Sequence, residues 1–121
     1  IKKDIKKKIK NYRINNINSP NIIGVGGTIT SLGAMDLELS KYQSEKIHLF
    51  SLKKKNVDII LDKLINSNLK KRKKLKGLNP KRADIITAGA IILRVIMDQF
   101  DFSEIIISER DILFGLINEV I

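Results

Sequence analysis

The chain has no cysteine and no tryptophan, and its single histidine is His48. Without cysteine there is no disulfide, no thiolate nucleophile and no thiolate metal ligand, and one histidine leaves little material for a zinc site. The apolar runs are much shorter than the ~18–20 residues that cross a bilayer. Residues 1–10 alternate Ile and Lys without the continuous apolar centre of a signal peptide. These absences favour a cytoplasmic protein with no membrane segment.

The length of 121 residues suits one small domain or a piece of a larger one. Apolar residues make up 43% of the chain, which is enough for a real core and argues against a disordered tail. Because the first residue is isoleucine rather than methionine, we expect a trimmed chain or a fragment.

Positive charge dominates the composition, since 23 Lys and Arg residues against 13 Asp and Glu residues give a net charge of +10. The charge is concentrated in residues 2–10 and 70–76. Such a chain attracts polyanions, although each block taken alone is more simply a solvated helical face. Aromatic residues are only 5% of the chain and none lies in the second block, which disfavours binding of single-stranded nucleic acid. A basic nucleic-acid-binding domain remains an alternative function.

Hydrophobic spacing and turn residues predict the order helix, strand, several helices, strand, helix. The strands are apolar runs at residues 21–25 and 104–108, and residues 47–52 are a further short extended candidate. Thr28 is predicted to cap the helix after the first strand, and Asn79-Pro80 to start a long helix. Spacing predicts the inward residues of the helices to be Ile1, Ile5, Ile9, Tyr12, Leu32, Met35, Leu39, Val57, Ile60, Leu61, Leu64, Ala83, Ile86, Ala90, Leu93, Met97, Ile112, Leu116 and Val120.

Two apolar strands joined by a helical crossover predict an α/β fold with a short parallel sheet flanked by helices. Two or three strands are fewer than parallel sheets normally contain. We therefore expect residues 1–121 to be the C-terminal part of a larger α/β domain. An incomplete sheet also exposes an edge that can pair with another strand, so an assembly fragment that forms a homodimer is an alternative.

The run Gly24-Val25-Gly26-Gly27-Thr28 lies between the first predicted strand and the following helix. Glycine lets a backbone approach a ligand closely, and a helix start offers unpaired N–H groups and partial positive charge, which together suit phosphate. The loop is not a Walker A motif, because no Gly-Lys-Ser/Thr follows it. Tight packing of the strand against the helix explains the glycines equally well.

Several segments, taken in order, resemble the Ppx/GppA family of exopolyphosphatases and guanosine pentaphosphate phosphohydrolases. Residues 26–35, which begin Gly-Gly-Thr, resemble the family's phosphate loop, and Lys46-Ile47-His48 resembles its short histidine-bearing segment. Residues 77–89 are the most specific match and read Gly-Leu-Asn-Pro-Lys-Arg-Ala-Asp-Ile-Ile-Thr-Ala-Gly. Residues 105–108 and Gly115 resemble the closing strand and helix.

The resemblance implies part of an actin-like, ribonuclease-H-like domain, with this chain as the C-terminal part of the second domain. Family members use water and a divalent metal, usually Mg²⁺, to remove a terminal phosphate from polyphosphate or guanosine pentaphosphate. The catalytic carboxylate and most metal ligands are expected in an N-terminal domain upstream, so this chain by itself is expected to be inactive. Substrate phosphate is expected to contact Gly26, Gly27, Thr28 and Arg82.

The alternative role for Arg82 is an ion pair with Asp84 in the first turn of a helix, where a carboxylate favours the helix dipole. Structural roles are also expected for Asp84 and His48. The final helix departs from the family pattern at Asp111, Leu113 and Phe114, where Gly, Arg and Glu are usual. This departure indicates a divergent member with an altered substrate range or weakened activity. Half of another actin-like protein, such as a sugar kinase or ATPase, is a further alternative.

Overall fold

A computed structural model of the chain describes residues 2–10, 22–110 and 112–120. The strands within these ranges are β1 (Ile23–Gly24), β2 (Ser51–Lys53) and β3 (Glu104–Ile107). The helices are α1 (Lys2–Ile9), α2 (Gly27–Asp36), α3 (Ser44–Ile47), α4 (Lys54–Ile65), α5 (Leu69–Arg72), α6 (Ile86–Gln99) and α7 (Ile112–Val120), and Pro80–Arg82 forms a 3₁₀ turn. In the part of the chain described, no helix is long and apolar enough to cross a membrane.

The three strands form one sheet in the order β1-β3-β2. Strand β1 runs parallel to β3 with Ile23 opposite Ile106, whereas β2 runs antiparallel to β3 with Leu52 opposite Ile105. The parallel pair agrees with the predicted α/β class. The antiparallel strand was foreseen only as a short extended segment, because its three residues carry too little pattern to indicate a partner or a direction.

In the described ranges, one apolar core lies between the sheet and helices α2, α4 and α6. The inward positions predicted in α4 and α6 are confirmed, since each of them is buried, whereas Leu116 of α7, also predicted to face inward, is 53% exposed. In α6 they recur three or four residues apart, as one face of a helix requires. The buried residues of these two helices that match the prediction are Val57, Ile60, Leu61, Leu64, Ile86, Ala90, Leu93 and Met97. The predicted positions Ile1 and Tyr12 lie outside the described residues.

Two predicted helix starts are wrong. Helix α2 begins at Gly27 with Gly26 as its cap, so Thr28 lies inside the first turn and is not the cap residue. After Asn79-Pro80 the chain makes a 3₁₀ turn, in which the Asn79 Oδ1 accepts a hydrogen bond from the Lys81 N–H at 3.0 Å. The regular helix starts only at Ile86, so Asp84 lies ahead of its first turn.

Candidate phosphate-binding site

The turn between β1 and α2 depends on Gly26, whose φ of 111° is unfavourable for residues with a side chain. Its carbonyl oxygen accepts hydrogen bonds from the Thr30 N–H at 3.1 Å and from the Thr30 hydroxyl at 3.2 Å. The first amides of a helix have no acceptor within the helix itself. For the N–H groups of Gly27 and Thr28, the described residues provide no acceptor. Helix α2 therefore begins with donors that an anion can use.

Arg82 lies directly against this helix start. A Cβ atom added to Gly27 would be 2.2 Å from Arg82 Nη1 and 2.5 Å from Arg82 Cζ, so the guanidinium occupies the space that a side chain would fill. The 3₁₀ turn positions Arg82, whose N–H donates to the Asn79 carbonyl at 2.9 Å. Within the described ranges Arg82 makes no ion pair, and Asp84 is exposed, so the alternative pairing of these two residues is not observed.

The Arg82 side chain borders a cavity of about 440 Å³ between α2 and residues 77–82. This volume lies within the range of ~300–1,000 Å³ that is usual for small-ligand sites. Polar side chains from three separate segments converge on the cavity, which gives it hydrogen-bonding groups on several sides. These polar lining residues are Thr30, Ser31, Ser40, Tyr42, Asn79 and Arg82.

Tyr42 presents a neutral hydroxyl at the edge of this cavity. Partial burial raises its pKa to about 12, and a hydrogen bond from its hydroxyl to the Glu109 carboxylate adds to the increase. Tyr42 therefore remains protonated throughout the physiological pH range. It can position Glu109 but cannot act as a base near neutral pH.

The Thr28 side chain points to a different neighbour. A Cβ atom added to Gly89 of α6 would lie 2.6 Å from Thr28 Cγ2 and 2.7 Å from Thr28 Oγ1, so this threonine packs against the helix backbone at that glycine. Together they border an apolar groove of about 250 Å³. The other residues that line this groove are Val25, Gly26, Gly27, Ile29, Ile92, Leu93 and Ile96. Of the four predicted contact residues, Gly27 and Arg82 touch each other, whereas Thr28 turns its side chain toward α6.

His48 has a partner that suits the predicted structural role. Its Nδ1 accepts a hydrogen bond from the Glu109 N–H at 3.2 Å, which ties the end of α3 to the chain after β3. One of the two ring nitrogens of His48 is thus engaged by the Glu109 backbone N–H. Because Glu109 also accepts the Tyr42 hydroxyl, these contacts fix one wall near the cavity.

A Mg²⁺ ion needs several oxygen ligands arranged around one point. Among the residues that the structure describes, no three Asp, Glu, His or Cys side chains are grouped closely enough to hold a metal ion. The predicted departure from the family pattern cannot be placed in the site, because Asp111 and the side chains of Leu113 and Phe114 lie outside the described part of the chain.

Five polar residues of the cavity were not predicted as site residues, namely Thr30, Ser31, Ser40, Tyr42 and Asn79. Thr30 and Asn79 lie within the two motifs that carried the family resemblance, so their position in those motifs was a usable signal. Tyr42 has no such signal, because it lies in an irregular segment between α2 and α3. Only the folded chain shows that this segment passes beside Arg82.

Comparisons with known proteins identify the family of this chain. A profile of the Ppx/GppA phosphatase family matches residues 2–120. Over 98 residues the chain is 44% identical to a bifunctional 3-dehydroquinate synthase/phosphatase from Fusobacterium nucleatum, an alignment that includes 81% of this chain. It is 31% identical, also over 98 residues and 78% of its length, to exopolyphosphatase 2 from Mycobacterium tuberculosis. It spans only 14% of the first relative and 31% of the second.

Solved structures show the same fold. A crystal structure of the Ppx/GppA family member from Aquifex aeolicus superposes with a TM-score of 0.87 at 24% identity, over 98% of this chain and 39% of that one. An exopolyphosphatase from Cytophaga hutchinsonii superposes with a TM-score of 0.65 at 21% identity, over 88% of this chain and 33% of that one. The predicted fold class, an α/β portion of an actin-like domain, is confirmed.

Proposed function

Because the chain belongs to the Ppx/GppA phosphatase family, we propose that it forms the C-terminal part of the second actin-like domain of a phosphohydrolase. The proposed reaction removes a terminal phosphate from polyphosphate or guanosine pentaphosphate. The contact between Gly27 and the Arg82 guanidinium at the start of α2 is the observation that supports this function. It combines helix N–H donors with a fixed positive charge at the edge of a polar cavity.

Phosphoryl transfer concentrates negative charge on the oxygens of the transferred group, and donors placed there lower the barrier. The planar guanidinium of Arg82 offers two parallel N–H bonds to phosphate oxygens. The backbone N–H groups of Gly27 and Thr28 extend this donor set. We assign Gly26 the task of turning the chain so that these amides face outward, and Thr28 a backbone contact while its side chain packs on α6.

The remaining requirements of the reaction fall outside the described residues. Water attack needs a base, and we propose that the carboxylate for this task and the ligands of Mg²⁺ come from an N-terminal domain. The exposed Ile23 in β1, 65% accessible at an edge of the described sheet, offers a place where that domain or a second copy can continue the sheet. The Mg²⁺ ion would supply charge neutralisation at the phosphate oxygens.

The test is phosphate release by the longest natural polypeptide that contains this sequence. We expect release from polyphosphate or guanosine pentaphosphate and not from ATP, and no release by residues 1–121 alone. Arg82→Ala is expected to lower kcat/KM about 100-fold, because a charge-assisted contact to phosphate is lost. The matched control is Lys81→Ala, which removes an exposed neighbouring charge and is expected to change kcat/KM less than about threefold.

Two results would count against the proposal. Equal activity of Arg82→Ala and the parent protein would remove Arg82 from the site. Preferential hydrolysis or binding of ATP would favour an actin-like ATPase or sugar kinase instead.

A further inference from the structure

The densest positive charge in the chain lies beside the cavity rather than within it. Between Asp62 and Asp84 there are nine Lys and Arg residues and no acidic residue. Most of these charges lie in α5 and the turn that follows it. We use the name basic ridge for five exposed lysines of this segment: Lys70, Lys71, Lys73, Lys74 and Lys76.

Three residues of the segment point inward and hold the ridge in place. The Arg72 Nε donates to the Leu64 carbonyl at 2.9 Å, which uses the guanidinium to close the C-terminal end of α4. Leu75 packs against the core, and Leu78 is buried. Because every third residue is anchored, the lysines between them face solvent.

The backbone of the ridge is also fixed. The Asn68 side chain accepts a hydrogen bond from the Lys71 N–H at 2.9 Å and caps α5. The ridge ends at Gly77, which has a φ of 84° and lies so close to α2 that an added Cβ would be 2.3 Å from the Ala34 carbonyl oxygen. With the acidic residues in the described ranges, none of the five ridge lysines forms an ion pair. Their charges are therefore free for an external anion.

The basic ridge ends where the segment that lines the candidate phosphate site begins. Gly77 directly follows Lys76, and residues 77–80 line the cavity together with Arg82. No aromatic residue lies between Phe50 and Phe100, so the ridge has no platform on which a nucleic-acid base could stack. A chain of phosphates without bases matches this surface better than single-stranded RNA does.

We propose that the basic ridge is an accessory binding surface for the distal part of a linear polyphosphate whose terminal phosphate lies at Arg82. The inference rests on the proposed function and adds a preference for long substrates. A chain held at Arg82 presents its remaining phosphates to the ridge at high effective concentration, so affinity rises with chain length. Each ridge contact displaces counterions, so added salt weakens this advantage.

The experiment measures binding of tripolyphosphate and of polyphosphate several tens of units long to the longest natural polypeptide that contains this sequence, by calorimetry in the presence of EDTA so that the phosphates are not hydrolysed. The ridge variant is K70Q/K71Q/K73Q/K74Q. The control is K3Q/K6Q/K7Q/K8Q, which removes four exposed charges from α1 and leaves the same net charge. We expect the ridge variant to bind long polyphosphate at least about tenfold more weakly, while the control changes affinity less than about threefold. Tripolyphosphate should bind both variants equally.

The outcomes separate the ridge from the phosphate site. If the ridge variant keeps the higher affinity of the parent for long polyphosphate over tripolyphosphate, the proposed role of the basic ridge is wrong. This holds even if tripolyphosphate binds normally. Failure of tripolyphosphate to bind the parent chain counts instead against the proposed function. Rescue by K70R/K71R/K73R/K74R supports a charge effect. Equal competition by single-stranded RNA of matched charge, with loss of RNA binding in the ridge variant, overturns the assignment to polyphosphate.

Discussion

The cavity and the apolar groove flank the first turn of α2, and the side chains that line them differ sharply in polarity. The cavity of about 440 Å³ is bordered by Arg82, Tyr42 and Asn79. The groove of about 250 Å³ is formed by aliphatic side chains, including Val25 and Ile92, and by the Thr28 side chain. Gly27 lies between these regions, since it touches Arg82 and also lines the groove.

The difference shows that a glycine-rich helix start does not by itself define an anion site. A phosphate gives up its water only where charged or well-placed donors replace it, and an aliphatic groove cannot do so. In this chain the guanidinium that supplies those donors comes from a distant segment. The four predictions that follow either break this contrast or sharpen it.

Gly77→Ala should have the largest effect, because it pushes the wall of the cavity away from α2. The positive φ and the 2.3 Å approach to the Ala34 carbonyl oxygen are both incompatible with a side chain. We expect a loss of about 3 kcal/mol in the free energy of unfolding, measured by urea denaturation. Gly26→Ala is the control, because its backbone (φ 111°, ψ 167°) also disfavours a side chain but no atom lies within 4 Å of the added Cβ, and about 2 kcal/mol should be lost. Equal losses would contradict the close contact.

Gly27→Ala should weaken ligand binding in the cavity without lowering the stability of the fold. The added Cβ displaces the flexible end of Arg82 rather than backbone, so binding of tripolyphosphate should weaken about tenfold with an unchanged unfolding midpoint. Combined with Arg82→Ala, the substitution should have little further effect, because both act on the same guanidinium. Additive losses in this double-mutant cycle would show that the two residues act separately.

Gly89→Ala tests the groove side of the same turn. Its Cβ would meet the Thr28 side chain, so we expect a loss of about 1 kcal/mol in unfolding free energy from overpacking. Tripolyphosphate affinity should remain unchanged, because the cavity is on the other side. Thr28→Ser in the same background should recover part of the stability by removing Cγ2. A weaker affinity for tripolyphosphate in Gly89→Ala would contradict the separation of the two regions.

The smallest effect is expected for substitution of Asp98, which lines neither the cavity nor the groove. Hydrogen bonds from Arg94 and then Lys54 lower the Asp98 pKa to about 2. This pKa is below the ordinary value of 3.8. The ionised Asp98 carboxylate therefore makes its full contribution to the free energy of unfolding above about pH 4, and this contribution disappears as the pH falls toward 2. Asp98→Asn should therefore cost less than about 1 kcal/mol at pH 7, since half of the Asp98 side chain is exposed and water screens its ion pairs.

Thermal unfolding of parent and Asp98→Asn between pH 2 and 7 measures this difference. The two curves should approach each other as the pH falls to about 2. A constant gap across that range would indicate that the substitution acts through packing rather than charge. Binding of tripolyphosphate at neutral pH should be the same for both proteins.

Sequence patterns were most reliable where a single segment carries its own information. The inward faces of α4 and α6 follow from the spacing of apolar residues, and β3 follows from a short run of isoleucines. The family resemblance of residues 26–35 and 77–89 is confirmed by the profile that matches residues 2–120. The roles assigned to the individual site residues stay predictions.

Patterns failed where a distant contact decided the local structure. Thr28 is a favoured cap residue, yet Gly26 takes that position because the turn needs a positive φ and the threonine packs on Gly89. Asp84 was expected in a first helical turn, but the 3₁₀ turn delays the helix to Ile86. The direction of β2 also depended on pairing with β3, which a three-residue strand cannot encode alone.

The sequence by itself determined the family, the α/β class, the inward faces of α4 and α6 and the location of positive charge, because each depends on residues that are near neighbours in the chain. Tertiary structure alone decided that Arg82 lies on Gly27, that Tyr42 borders the same cavity and that Thr28 faces away from it. These arrangements depend on how α2, α6 and the 3₁₀ turn pack together. Packing is settled by the shape of the whole core, so no single segment contains it.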